Sequence, residues 1–91
     1  MTTLIVDHEV ADYGTWREVY DSVDGARANG GVTFHRVLQD ANNPNHVVVE
    51  HVFSDAATAA AFLENAELRE AMGRGGVVPS SFRAVVLEET S

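Results

Sequence analysis

The sequence contains no cysteine, only two prolines and only six basic residues among 91. Without cysteine there is no disulfide framework and no thiolate nucleophile, so stability must come from packing or from a partner subunit. Fourteen acidic residues against six basic ones give a formal net charge of −8. This charge argues against nucleic acid and anionic membranes as partners, because both require a basic surface.

Long hydrophobic runs are also missing. No apolar stretch approaches the roughly 18 residues of a membrane span, and the N-terminus lacks the basic start and apolar segment of a signal peptide. We therefore expect a cytoplasmic protein. With 45% hydrophobic and 22% charged residues, the composition is that of a globular protein. A chain of this length forms one domain, residues 1–91, around a single core.

The first part of the chain changes from a strand period to a helical period. Residues 2–10 alternate between the two faces of a strand, with Leu4, Val6 and His8 on the same side. Aromatic and aliphatic residues then recur at helical spacing, which predicts one helix from the N-cap Asp12 to Asn29. The sequence therefore begins with a strand followed by a helix.

The second part predicts two strands, a helical region and a last strand. The two strands lie within residues 32–53 and are joined by the loop "DANNPN". Ser54 is the expected cap of the next helix and Asn65 the cap of a second short helical segment. "SFRAVVLEE" is typical of a final strand. The order predicts an α+β, ferredoxin-like βαββαβ fold, with both helices on one face of a four-stranded antiparallel sheet.

The other face of this sheet is also predicted to be apolar. Isoleucine, valine and phenylalanine occur on both faces of the strands, and one chain has nothing left to cover the second face. We therefore expect a homodimer in which two sheets pack face to face.

Three of the four histidines fall on the predicted hairpin. Placing Asp40 opposite Asn45 pairs His35 with Glu50 across the strands and puts His51 on the other face. The residues expected on the first face are Thr33, His35, Val37, His46, Val48, Glu50 and Val52. The pair is either a carboxylate that orients an imidazole for acid–base chemistry or a surface ion pair.

A pocket is expected between the helices and the sheet. His8 faces the helices there, as a functional imidazole or as a core histidine bonded to a carbonyl. Tyr13, Trp16 and Tyr20 form an aromatic stripe that lines the pocket or belongs to the core. Candidate ligand-binding residues are Trp16, Tyr20, Phe62 and Val37. The trio of His8, His35 and Glu50 has no metal-motif spacing, so no metal is expected.

Three stretches, "LIVDHEVADYGTWREVYD", "HRVLQDANNPNHVVVEHVFSD" and "AFLENAELREAMGRGGV", resemble the small dimeric α/β-barrel proteins grouped around antibiotic biosynthesis monooxygenases and cyclase-like proteins. The resemblance spans most of the chain and rests on structural signatures rather than catalytic ones. It implies two ferredoxin-like protomers packed into a barrel, with one pocket in each. Relatives described as enzymes include cofactor-free oxygenases that oxidise aromatic polyketides, haem-degrading proteins, and cyclases that fold polyketide chains.

These observations lead to two hypotheses. In the first, a homodimer binds an apolar, aromatic or polyketide-like molecule and promotes oxygenation or cyclisation without a cofactor. His35 is the base, Glu50 orients it, His8 and Tyr13 hold the oxyanion, and Trp16 stacks on the ring. In the second, the chain is a ligand-binding or structural dimer without turnover. A cavity beneath the helices favours the first hypothesis, and a filled interior favours the second.

Overall fold

The computed structural model describes residues 1–90. In chain order the elements are β1 (Thr2–Glu9), α1 (Tyr13–Ser22), α2 (Asp24–Asn29), β2 (Phe34–Asp40), β3 (Asn43–Phe53), α3 (Ala56–Leu63), α4 (Ala66–Arg74) and β4 (Arg83–Glu88). The strands form one antiparallel sheet in the order β2-β3-β1-β4. The predicted α+β, ferredoxin-like fold is therefore confirmed. No helix within residues 1–90 is long and apolar enough to cross a membrane.

Short polar side chains set the starts of three helices. Asp12 and Asn65 each accept hydrogen bonds from backbone N–H groups in the first turn of α1 and α4, as predicted. The cap of α3 is Asp55 instead of the predicted Ser54. The aspartate carboxylate takes this position and accepts from the backbone N–H three residues later.

The predicted first helix is divided in two. Its regular part ends at Ser22, and Val23 leaves the helical conformation with φ −107° and ψ 23°. Val23 is buried, and so is Arg27 on the helix that follows. Tertiary packing therefore outweighs the continuous helical pattern of the sequence.

The helix-covered face of the sheet carries the core. Its buried apolar strand residues are Leu4, Val6, Val47, Val49 and Phe53, none of them more than 7% exposed. They alternate with residues on the other face because successive strand side chains point to opposite sides. Trp16, Tyr20 and Phe62 pack onto them from the helices.

The register of the hairpin differs from the prediction by one residue. His35 lies opposite His51, and Glu50 lies opposite Arg36. The turn is tighter than the predicted loop, because β3 begins at Asn43 and the register shifts between Gln39 and Asp40. This irregularity adds the one residue that exchanges the faces of β3 relative to β2.

The second face of the sheet has no covering element among residues 1–90. It presents several large apolar side chains to solvent: Phe34, Leu38, Val85 and Leu87, which are 44–53% exposed. We call this surface the open face. Monomeric proteins rarely expose a contiguous apolar patch of several such side chains.

Candidate functional site

A cavity of about 80 Å³ lies between the helices and the covered face of the sheet. Trp16, Tyr20 and Phe62, three of the predicted ligand-binding residues, lie in its walls. Val37, the fourth, is half-buried on the same side of the sheet, opposite Val49, but it is not part of the walls. The walls are mainly apolar, and their polar side chains are those of His8, Tyr20, Arg27, His51 and Arg69.

His8 occupies the wall as the alternation of β1 predicted. Its side chain is 2% exposed, and its ring meets Trp16 edge-on with 5.6 Å between centroids. Burial lowers the pKa of His8 below its usual value. The imidazole is therefore neutral near pH 7, and its Nδ1 has no hydrogen-bond partner within residues 1–90.

His51 is the second buried histidine of the wall. It is 4% exposed and packs 5.2 Å from the ring of Phe62. Burial lowers its pKa to about 4, although a backbone hydrogen bond with Leu4 acts in the opposite direction. Its Nδ1 also has no partner in the described chain. The predicted placement of His51 on the open face is therefore wrong, because the shifted register turns it inward.

His35 stands next to the cavity but outside its walls. The Tyr20 hydroxyl lies 2.6 Å from His35 Nδ1. Because burial raises the pKa of Tyr20, the phenol keeps its proton, and we assign the hydroxyl as donor and Nδ1 as acceptor. The other ring nitrogen faces Asp24 at 3.5 Å. His35 is therefore oriented by a tyrosine and an aspartate.

Glu50 and Tyr13 do not reach the cavity. Glu50 lies on the open face, where its carboxylate is 3.4 Å from Arg36, so it does not orient His35 as predicted. Tyr13 packs beside Trp16 with 5.9 Å between ring centroids and is also absent from the walls. The predicted set of His35, Glu50, His8 and Tyr13 is thus not brought together at one point.

His46, which shared the predicted face of His35, lies on the open face. Its two ring nitrogens contact Asp7 at 2.7 Å and Asp40 at 3.0 Å. These carboxylates raise the pKa of His46. The geometry is that of a surface ion cluster, separated from the cavity by the sheet.

Arg27 is the wall residue that sequence reasoning missed. Its guanidinium is 3% exposed, with Cζ 3.6 Å from the centroid of the Tyr20 ring. Nη2 contacts Asp24 at 3.3 Å, whereas Nε has no partner in the part of the chain that is described. Arginine is almost never fully buried unless it is paired. No local pattern in "DGARANGG" therefore indicates this position.

No group of three histidine, aspartate or glutamate side chains in residues 1–90 is arranged to hold a metal ion. His8 and His35 point to the covered face on β1 and β2, and Glu50 points to the open face. The sheet itself therefore separates the carboxylate from the two imidazoles.

Sequence comparisons return no relative. No protein-family model matches the chain, and no curated protein matches it either.

Solved structures match the whole fold. A protein of Nitrosomonas europaea, provisionally named an antibiotic biosynthesis monooxygenase, is 18% identical with a TM-score of 0.77, and the match covers 100% of both chains. SnoaB of Streptomyces nogalater, a cofactor-independent oxygenase, is 13% identical with a TM-score of 0.80 over 99% of this chain and 93% of its own. A Bordetella bronchiseptica protein of the same provisional name reaches 0.82 at 7% identity, covering 99% and 97%. The chain has the fold of antibiotic biosynthesis monooxygenase-like proteins.

Proposed function

We propose that this chain binds an apolar, aromatic molecule in the cavity and promotes its oxygenation or cyclisation without a cofactor. The observation that carries the proposal is His51, a buried and neutral imidazole in an otherwise apolar wall. A general base must be unprotonated at the working pH and able to reach its proton. His51 meets the first condition near pH 7, and its side chain lines the cavity in which the substrate would lie. One protein of this fold, SnoaB, is a cofactor-independent oxygenase.

The chemistry begins with proton removal from an acidic C–H of the substrate. The imidazole of His51 takes this proton, and the aromatic ring system stabilises the resulting carbanion. In oxygenation, the carbanion combines with O₂ and a proton to give a hydroperoxide, which loses water and leaves a ketone. In cyclisation, the same carbanion attacks a carbonyl carbon of the substrate and closes a ring. Trp16 supplies a flat apolar surface against which the substrate stacks.

We assign the role of general base to His51 instead of His35, because Nδ1 of His35 already accepts a hydrogen bond from the Tyr20 hydroxyl. His8 lies four register positions from His51 along the central strand pair. At about 3.3 Å per residue this places it roughly 13 Å away, towards the other end of the cavity. This separation is too large for His8 to bind an oxyanion that forms next to the carbon deprotonated by His51, so His8 contacts a more distant part of the substrate.

The proposal includes a homodimer formed through the open face. Phe34 and Leu38 on β2, and Val85 and Leu87 on β4, make both edges of that face apolar. An identical sheet is complementary to it by symmetry, because a two-fold interface pairs the same patch on both subunits. The cavity lies on the opposite side of the sheet and stays accessible in such a dimer.

A second candidate function is ligand binding or a structural role without turnover. It is favoured by the size of the cavity, since about 80 Å³ is well below the roughly 300–1,000 Å³ of usual ligand sites. A tricyclic substrate therefore requires the helices to move outward from the sheet. The two candidates differ in whether a ring compound that binds is also converted.

The experiment is a thermal-shift screen with planar aromatic compounds, followed by oxygen consumption with each compound that binds. Anthrone is a suitable first probe because it combines an aromatic ring system with an acidic methylene. We expect binding to raise the melting temperature and one O₂ to be consumed per ketone formed, in the presence of a chelator.

Matched variants assign the chemistry. His51→Gln should lower the rate by about 10²–10⁴-fold, the usual contribution of a general base. His46→Gln, the same change on the open face, should leave the rate unaltered. Binding without oxygen consumption or ring closure establishes the second candidate. A His51→Gln variant as fast as the wild type removes His51 from the mechanism.

A further inference from the structure

We propose that Arg27 is the anchor for an acidic oxygen of the ligand, so that the cavity selects aromatic molecules bearing a carboxylate, phenolate or enolate. The inference rests on the proposed use of the cavity as a ligand site and adds the charge class of the ligand. It is carried by the guanidinium in the wall, which is buried and incompletely paired.

The surroundings of Arg27 leave a donor unused. A guanidinium offers five N–H donors in a fixed plane, and within residues 1–90 the Nε of Arg27 has no acceptor. The nearby acid, Asp24, is 70% exposed and touches only Nη2, at 3.3 Å. A solvent-exposed carboxylate at that distance compensates a buried cation poorly. The chain carries fourteen acidic residues, yet none of those described occupies Nε.

The side chain is held rigidly in this state. Tyr20 lies under the guanidinium, with Cζ 3.6 Å from the ring centroid, and Tyr20 is itself fixed by its stack on Trp16 and its hydroxyl contact with His35. Little side-chain entropy is therefore left to lose when an oxygen binds to Nε. A preorganised donor in a mainly apolar cavity also binds charge more strongly than a surface arginine.

Arg27 and His51, two residues of the cavity walls, each carry a buried nitrogen without a partner in the described chain. These nitrogens are Arg27 Nε and His51 Nδ1. A carboxylate or enolate oxygen accepts a hydrogen bond from Arg27 Nε, and the apolar ring fills the space towards Phe62 and Trp16. Buried polar groups are normally satisfied, and an acidic aromatic ligand satisfies Arg27 where the protein does not.

The test compares benzoate with benzamide, a neutral probe of nearly the same shape, by calorimetry near pH 7. A single ring suits the small cavity. We expect benzoate to bind at least about tenfold more tightly, since a hydrogen bond to a charged group contributes about 1.5–3 kcal/mol. The preference should persist at high salt, because buried charges are screened far less than surface charges.

Two matched variants locate the effect. Arg27→Gln should bring the affinity ratio of benzoate to benzamide close to one. Arg17→Gln should leave the ratio unchanged. Arg17 also lies near the Tyr20 ring, at 5.4 Å, but it is 42% exposed, paired with Asp21 and outside the cavity walls.

A measurement on the wild type keeps the inference testable if Arg27→Gln does not fold. All six basic residues are arginines, so a nitrogen–proton spectrum contains six Nε–H signals. Benzoate should shift the Arg27 signal, and benzamide should not. A shift confined to the other arginines overturns the inference.

The outcomes separate the two proposals. Three results would overturn the role of Arg27 as anchor and leave the cavity as a ligand site. They are equal affinity of the wild type for both probes, a preference for benzoate that survives Arg27→Gln, and a preference that disappears in Arg17→Gln. If neither probe binds, the anchor and the proposed ligand site fail together.

Discussion

Acid should destabilise the fold through His51. Its pKa is about 4 in the folded chain, against 6.5 for an unperturbed histidine. Between these values the unfolded state binds more protons, so the contribution of His51 is complete above pH 6.5 and is lost as the pH falls towards 4. At pH 5.0 about 97% of the unfolded imidazole but only about 10% of the folded one is protonated, which corresponds to about 2 kcal/mol.

The assay is urea unfolding at pH 7.5 and pH 5.0, followed by the fluorescence of Trp16. This residue is the only tryptophan and is 4% exposed in the folded chain. Wild type should lose about 2 kcal/mol more than His51→Gln between the two pH values. The protein concentration must be the same throughout, because the proposed dimerisation would make the midpoint concentration-dependent. Hydrogen bonds lower the pKa of three carboxylates, those of Asp12, Asp40 and Asp55. Their contributions to the stability of the folded state are therefore lost only below about pH 4.

His46 provides a control of opposite sign. Asp7 and Asp40 raise its pKa, so its contribution is complete below pH 6.5 and is lost as the pH rises through the folded value. His46→Gln should therefore make the acid-induced loss larger. Equal losses in wild type and His51→Gln would refute the reasoning, because they would mean that His51 is not held neutral in the folded state.

Two further predictions concern backbone and assembly. Gly31→Ala should lower the free energy of unfolding by more than about 1 kcal/mol, because φ at Gly31 is +94° and the new Cβ would lie 2.6 Å from Thr58 Cγ2. In the control Gly25→Ala the new Cβ would lie in open space. This control should raise the free energy of unfolding by up to about 1 kcal/mol. Urea unfolding measures both, and a stable Gly31→Ala contradicts the steric argument. Leu38→Glu should convert the dimer to monomer in sedimentation at micromolar concentration, whereas Ala60→Glu, on exposed α3 surface, should not. A monomeric wild type contradicts the dimer.

Local periodicity predicted the elements well where one pattern dominated. The alternation around Leu4 and Val6 predicted strand β1 and an orientation of His8 towards the helices, and both features are confirmed. The cap residues Asp12 and Asn65 were also read correctly, because capping depends on a hydrogen bond within one turn.

The site was harder to predict because it depends on a single-residue irregularity. Both strands of the hairpin carry apolar residues on both faces, so the sequence does not favour one register over its neighbour. The shift between Gln39 and Asp40 then decided that His51 faces inward and Glu50 outward. Arg27 was missed for a different reason: its burial depends on the turn at Val23 and on the Tyr20 ring, which only the folded chain brings together.

The turn at Val23 restricts the number of residues that can lie between Tyr20 and Arg27. Each residue of an α-helix advances the side-chain direction by about 100°. One residue inserted or deleted at Val23 would therefore rotate α2 and carry the Arg27 guanidinium off the Tyr20 ring, even with every side chain retained. Homologues that use this anchor should keep a fixed number of residues between the tyrosine and the arginine.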